Sequence, residues 1–237
     1  EDTSKEVIAS YIDQILQWGQ TAPVITRRIP ISLLEKFLDK SNDLDVEAFE
    51  KTRDECAKGD YFEGPMIGWW DSLIPIRTMK KKEMEVETLR DMRPQLWQNR
   101  LPTQMQSKYH AFYLLINILR HGKDEFITKN GDLVSLDLDR SRFQSSKLVT
   151  SSAMNYTWCF ACYMDTWVYD TFQAVGPSQP EAMRLGNLMR EVLLHEDIFV
   201  DIWGASLGKA LNARVGMLLD CVDDCILRYG RENVLLK

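Results

Sequence analysis

Histidine is scarce in this chain of 237 residues: His110, His121 and His195 are all it has. The scarcity decides the reading of Gly204-Ala205-Ser206-Leu207-Gly208, which spells the G-x-S-x-G of a serine-hydrolase nucleophile elbow. Such an elbow needs a histidine base, and in an α/β-hydrolase both the acid and the histidine follow the serine along the chain. Every histidine here precedes Ser206, so an esterase is excluded. Phosphate-cradling loops are lacking as well, with neither G-x-x-x-x-G-K-[ST] nor G-x-G-x-x-G present. No apolar run approaches the roughly 18 residues of a membrane span; the nearest, Ala111 to Leu119, is broken by Asn117. An excess of positive charge is missing too. With 29 Lys and Arg against 35 Asp and Glu, the net charge of −6 argues against a surface that grips nucleic acid all over, and leaves room for a local basic patch. Cysteines are few and odd in number: Cys56, Cys159, Cys162, Cys221 and Cys225. Their dilution among core-type residues predicts structural thiols in a reducing compartment, hence an intracellular protein, cytoplasmic or nuclear. Cys159-x-x-Cys162 has no second pair at finger spacing, so no zinc site is predicted.

What the chain does have is helical periodicity. Thr3-x-x-Glu6 reads as a capping box before Val7, Ile8, Tyr11, Ile12, Ile15 and Leu16, with Gly19 as the stop. Further helices are predicted from Ile31 to Lys40, Val46 to Lys58, Met79 to Arg93 and Thr103 to Leu119, and from Ala153 to Ala174. Beyond Ser178-x-Pro180-Glu181, apolar spacing continues almost to Gly230. Residues 59–77, broken by Gly and Pro, read as a long loop pinned by aromatics. Asn130-Gly131 between short β-prone runs signals one hairpin near 125–137, expected to be exposed and not catalytic. The fold class expected is therefore mainly α: one compact domain over 1–237 of eight to ten helices with one small hairpin. A weak subdivision separates an N-terminal helical part, 1–122, from a C-terminal helical core, 150–237.

The candidate sites are few. Gly204, Gly208, Asn212 and Gly216 recur every fourth residue, a ridge of small side chains suited to close helix packing, inside the fold or between copies. Asp220, Asp223 and Asp224 fall opposite the apolar stripe and read as a solvated face; Glu191 with His195 makes half of a di-metal pattern at the wrong spacing. Arg77 with Lys80, Lys81 and Lys82 is the densest basic run, a candidate contact for an anionic partner such as RNA or lipid headgroups. Trp69 and Trp70 just upstream are candidates for an aromatic pocket. No catalytic residue, metal or cofactor is assigned. The function these features imply is a non-enzymatic assembly protein that self-associates or binds a protein partner. The alternatives are a viral-type matrix or nucleoprotein that binds RNA or an anionic membrane surface, and a helical enzyme or small-molecule binder.

Overall fold

The first helix, α1 (Ser4–Leu16), places Val7, Ile8, Ile12 and Leu16 on one buried face. It stops at Gln17, whose φ of 56° is left-handed. Gln17 N donates to Gln14 O, and Trp18 N to Asp13 O, each at 3.3 Å. Those two bonds cap the last carbonyls in the Schellman manner. The computed structural model describes residues 4–38, 43–68, 73–75, 103–117, 125–128, 132–136, 138, 141, 143, 162–195 and 206–236.

After α1 the chain forms strand β1 (Val24–Pro30), helix α2 (Ile31–Leu34), helix α3 (Asp43–Cys56), and strands β2 (Ala57–Lys58) and β3 (Tyr61–Ile67). These strands make an antiparallel sheet of order β1-β3-β2, in register from Val24↔Ile67 to Pro30↔Tyr61. A second antiparallel sheet joins β4 (Ile74–Pro75), β5 (Glu125–Ile127) and β6 (Leu133–Ser135), reached through helix α4 (Thr103–Ile116). Strand β7 (Met164–Asp165) leads into α5 (Thr166–Val175), with Asp165 Oδ1 accepting from Val168 N as the cap. A 3-10 turn (Glu181–Met183), α6 (Leu185–Leu193), α7 (Leu207–Tyr229) and α8 (Arg231–Val234) follow. The last strand, β8 (Leu235–Leu236), pairs in parallel with β7.

The core lies where α7 crosses α4, α5 and α6 and where α1 meets α6. Phe112, Phe172, Leu211, Val215 and Leu218 are fully buried there. The two helices α6 and α7 touch backbone to backbone: a Cβ on Gly186 would stand 2.2 Å from Gly208 O. Asn212 Oδ1 accepts from Gly186 N at 2.7 Å, its Nδ2 donates to Asn187 Oδ1, and a Cβ on Gly216 would meet Pro177. Gly208, Asn212 and Gly216 thus face α6 and the turn before it. Gly204 lies outside the described residues.

The expected mainly-α domain with one hairpin is corrected to a mixed α/β fold. Among the described residues there are eight α-helices and three small sheets. Among its described residues the stretch read as a helix from Ile31 to Lys40 is helical only to Leu34, and the loop expected over 59–77 contains β3 and β4. Gly64 and Pro65 hid β3. Pro65 is tolerated because β2 pairs only with Tyr61 and Phe62, so at Pro65 the strand has β1 as its named neighbour on one side. Of the helix expected from Ala153 to Ala174, residues 153–161 lie outside the described residues, Cys162 has a φ of 49°, and β7 precedes a helix that starts only at Thr166. In the hairpin strands Glu125, Leu133, Val134 and Ser135 are buried, while the Asn130-Gly131 turn expected to be exposed lies outside the described residues. The cysteine reading changes as well, since Cys162 and Cys225 form a disulfide and Cys221 is disulfide-bonded, while Cys56 is free and exposed.

Candidate functional site

Three elements converge at the end of the hairpin. Glu6, on the first turn of α1, accepts through Oε1 from the backbone N of Leu138, a contact across 132 residues of sequence. Leu138 is itself buried and is flanked in sequence by Asp137 and Asp139. The exit of α1 is fastened to β6 as well: Thr21 bridges Ser135, and Ser135 N donates to Gln20 O at 2.7 Å. A helix glutamate is in this way tied to a segment whose sequence is Leu-Asp-Leu-Asp-Arg.

Buried polar groups support that junction. Asp13 Oδ2 accepts from Thr21 N at 2.9 Å and from Thr21 Oγ1 at 3.1 Å. Burial raises the Asp13 carboxyl above its usual 3.8, against the lowering effect of those hydrogen bonds and of Lys108. Lys108, on α4, donates to Trp18 O at 3.3 Å and lies 4.7 Å above the Trp167 ring. Its ammonium is lowered by burial, opposed by Asp13, Asp132 and Asp165. From the next residue of α4, the Tyr109 hydroxyl donates to Glu125 at the start of β5. Burial, then Tyr113 and Glu125, holds that phenol well above its ordinary 10. It stays a neutral donor that fixes β5 against α4.

Behind the junction, Arg214 of α7 is fully buried. Its guanidinium donates from Nη1 to Leu115 O, near the end of α4, and from Nη2 to Phe143 O at 2.9 Å. Desolvation lowers its pKa from 12.5 to about 10, which leaves it a cation at neutral pH.

Of the residues expected to carry function, Trp69, Trp70, Arg77, Lys80, Lys81 and Lys82 lie outside the described residues. Gly208, Asn212 and Gly216 sit in the α6–α7 contact, remote in kind from any polar site. Glu6 was read as a helix cap, and its reach to Leu138 has no short-range sequence signature. The D-x-D immediately after a hairpin was the available signal.

No family model and no curated protein matches this chain. Solved structures do. The structure of hydra Fam20 with sugar superposes with a TM-score of 0.67 at 18% identity, covering 98% of this chain and 74% of that one. The Golgi casein kinase matches at 0.64, and the same kinase with Mn/ADP bound at 0.65, each at 16% identity. This chain is covered fully and spans 64% of each Golgi casein kinase chain. Its fold is that of the Fam20 and Golgi casein kinase structures. That finding overturns the expectation of a non-enzymatic all-α assembly protein and the viral-type matrix or RNA-binding nucleoprotein; of the helical enzyme or small-molecule binder it corrects the all-helical build. No helix among the described residues is long and apolar enough to cross a membrane.

Proposed function

We propose that this chain carries a kinase-type site that binds a nucleoside phosphate together with a divalent metal and transfers a phosphoryl group to a hydroxyl acceptor. The observation that carries the reading is the contact of Glu6 with Leu138 N, between Asp137 and Asp139. In protein kinases a helix glutamate and a metal-holding aspartate downstream of the catalytic loop must both be in place, because phosphoryl transfer relies on positioning and charge neutralisation. The Golgi casein kinase structure with Mn/ADP supports the pairing of nucleotide and metal. Asp137 and Asp139 are the proposed carboxylates for the metal, and Glu6 is the helix group that holds the backbone N of Leu138 between them in sequence.

The transfer step moves the γ-phosphoryl from ATP to the acceptor oxygen, releases ADP, and passes the hydroxyl proton to a base. The sequence holds no H-R-D tripeptide; between α4 and β5 it runs Asn117-Ile-Leu-Arg-His-Gly-Lys-Asp124. Asp124 is the carboxylate of that stretch and the proposed base. The disulfides support an oxidising compartment in place of the cytoplasm or nucleus.

Calorimetry with ADP and Mn²⁺, then phosphate transfer from ATP to casein and to a free sugar, tests the proposal. Wild type binds Mn–ADP, Asp137→Asn with Asp139→Asn abolishes binding, and Asp124→Asn binds but does not transfer. A wild-type protein that ignores Mn–ADP at millimolar concentration overturns the reading.

A further inference from the structure

We infer that Arg214 is a positioning residue for this site: from α7 it fixes both flanks of the site-bearing segment, the exit of α4 and the stretch that follows β6. The inference rests on the nucleotide–metal reading for its functional half, and on the geometry of Arg214 alone for its structural half.

The geometry is specific. Leu115 is the penultimate residue of α4, and Phe143 lies five residues past Leu138. One guanidinium bonds both of their carbonyls, so the two ends of the intervening chain share one anchor. Arginine suits the task because its planar fork presents donors in fixed directions, whereas a lysine ammonium is a point charge on a flexible stem. Full burial of the side chain makes the anchor costly to move, since a buried cation retains its partners or pays desolvation. The anchor bonds two backbone carbonyls, those of Leu115 and Phe143. It acts through backbone, and Glu6 on the opposite side completes the hold at Leu138. The segment carrying Asp137 and Asp139 is therefore pinned at Leu138 from α1 and at Phe143 from α7.

Groups that orient ligands without touching the metal commonly change metal affinity by about 10–100-fold, and that is the effect expected of Arg214. The test uses the whole chain as wild type, Arg214→Met and Arg214→Lys, with amide exchange by mass spectrometry and Mn²⁺ titration in the presence of ADP. Expected are faster exchange confined to peptides over 112–117 and 136–143, unchanged protection in α1 and α5, and Mn²⁺ binding weakened about 10–100-fold in both variants. ADP binding without metal stays within twofold. The lysine variant, which keeps the charge, is the one to read if the methionine variant does not fold. A folded Arg214→Lys with wild-type exchange and wild-type Mn²⁺ affinity overturns the inference. So does loss of protection throughout the chain in both variants, which would make Arg214 a fold-wide prop. If wild type binds no Mn–ADP, the proposed function fails by itself, and the anchor is then decided by the exchange pattern alone.

Discussion

Helices α7 and α3 are both long and both heavily charged, yet α7 hides nine of its 23 residues, while no described side chain of α3 is buried. α7 is flanked by α4, α5 and α6 and tied to the chain before β7 by a disulfide; α3 meets the rest of the fold chiefly at β2 and through the edge-to-face contact of Phe49 with Phe62. Around it, Phe37 is 80% exposed and Leu44 75%. The contrast shows that a helical pattern in sequence does not say how much a helix contributes to stability. Most helical stability in proteins comes from tertiary packing of the apolar face, and here one end of the molecule has that packing and the other has an open apolar pocket lined by Leu34, Ala48, Phe49, Thr52 and Phe62.

The contrast breaks hardest at the disulfide. Cys162 and Cys225 are 63 residues apart in sequence, and closing a loop of that size limits the unfolded chain by about 4 kcal/mol in the chain-entropy model. The double replacement Cys162→Ser with Cys225→Ser should lower stability by about that amount, read from the denaturant midpoint, with amide protection falling across α5 and α7 and staying unchanged in α3. Equal loss in α3 would show that the two regions unfold as one unit.

A smaller break concerns the α6–α7 contact. Gly186→Ala places a methyl carbon on the backbone of Gly208, which has no side chain to swing aside. Overpacking of this kind costs about 2–3 kcal/mol, and it should separate the two helices enough to weaken the bond from Gly186 N to Asn212. A Gly186→Ala protein that melts with the parent would mean that α6 is free to slide.

These sites also show what could be read in advance. The ridge Gly208, Asn212 and Gly216 was legible because small residues every fourth position have a local cause, and α1 and the hairpin had period and turn chemistry to announce them. The strands β4, β7 and β8 had nothing local to announce them: each exists because a partner distant in sequence supplies its hydrogen bonds. The same holds for the site. Glu6 and Leu138, or Arg214 with Leu115 and Phe143, become neighbours only after folding, and a glutamate in a first turn or an arginine in a helix carries no mark of that. The disulfide escaped for a related reason: two cysteines in apolar sequence look like core thiols until folding sets the turn at Cys162 beside Cys225 of α7.

The junction of α1 with β6 gives a pH-dependent comparison with the exposed end. Asp13 has a folded-state pKa raised above 3.8 by burial, so its protonated form is favoured by folding. The sign follows by linkage: its contribution is fully present below 3.8 and is lost as pH rises through the raised folded value. Asp13→Asn keeps an acceptor for Thr21 and removes the charge, so stability at neutral pH should change by less than about 1 kcal/mol. The gain that the parent shows on mild acidification should flatten in the variant. Identical pH profiles for the two proteins would show that Asp13 is solvated and ordinary.

The smallest expected effect is at the exposed end itself. Phe37 follows α2, with 80% of its surface in water, so folding removes little apolar area there and Phe37→Ser should change stability by no more than about 0.5 kcal/mol. The same swap at Phe112, fully buried on α4, would cost at least the roughly 3–5 kcal/mol of a large-to-small core change, so the pair calibrates the two regions in one melting experiment. A near-neutral Phe37→Ser leaves α2 and α3 as an outcrop whose apolar side chains add nothing to folding. A loss above about 1 kcal/mol would be too large for an exposed position, and would mean that Phe37 is covered in solution, bringing this end closer in character to the core around α7.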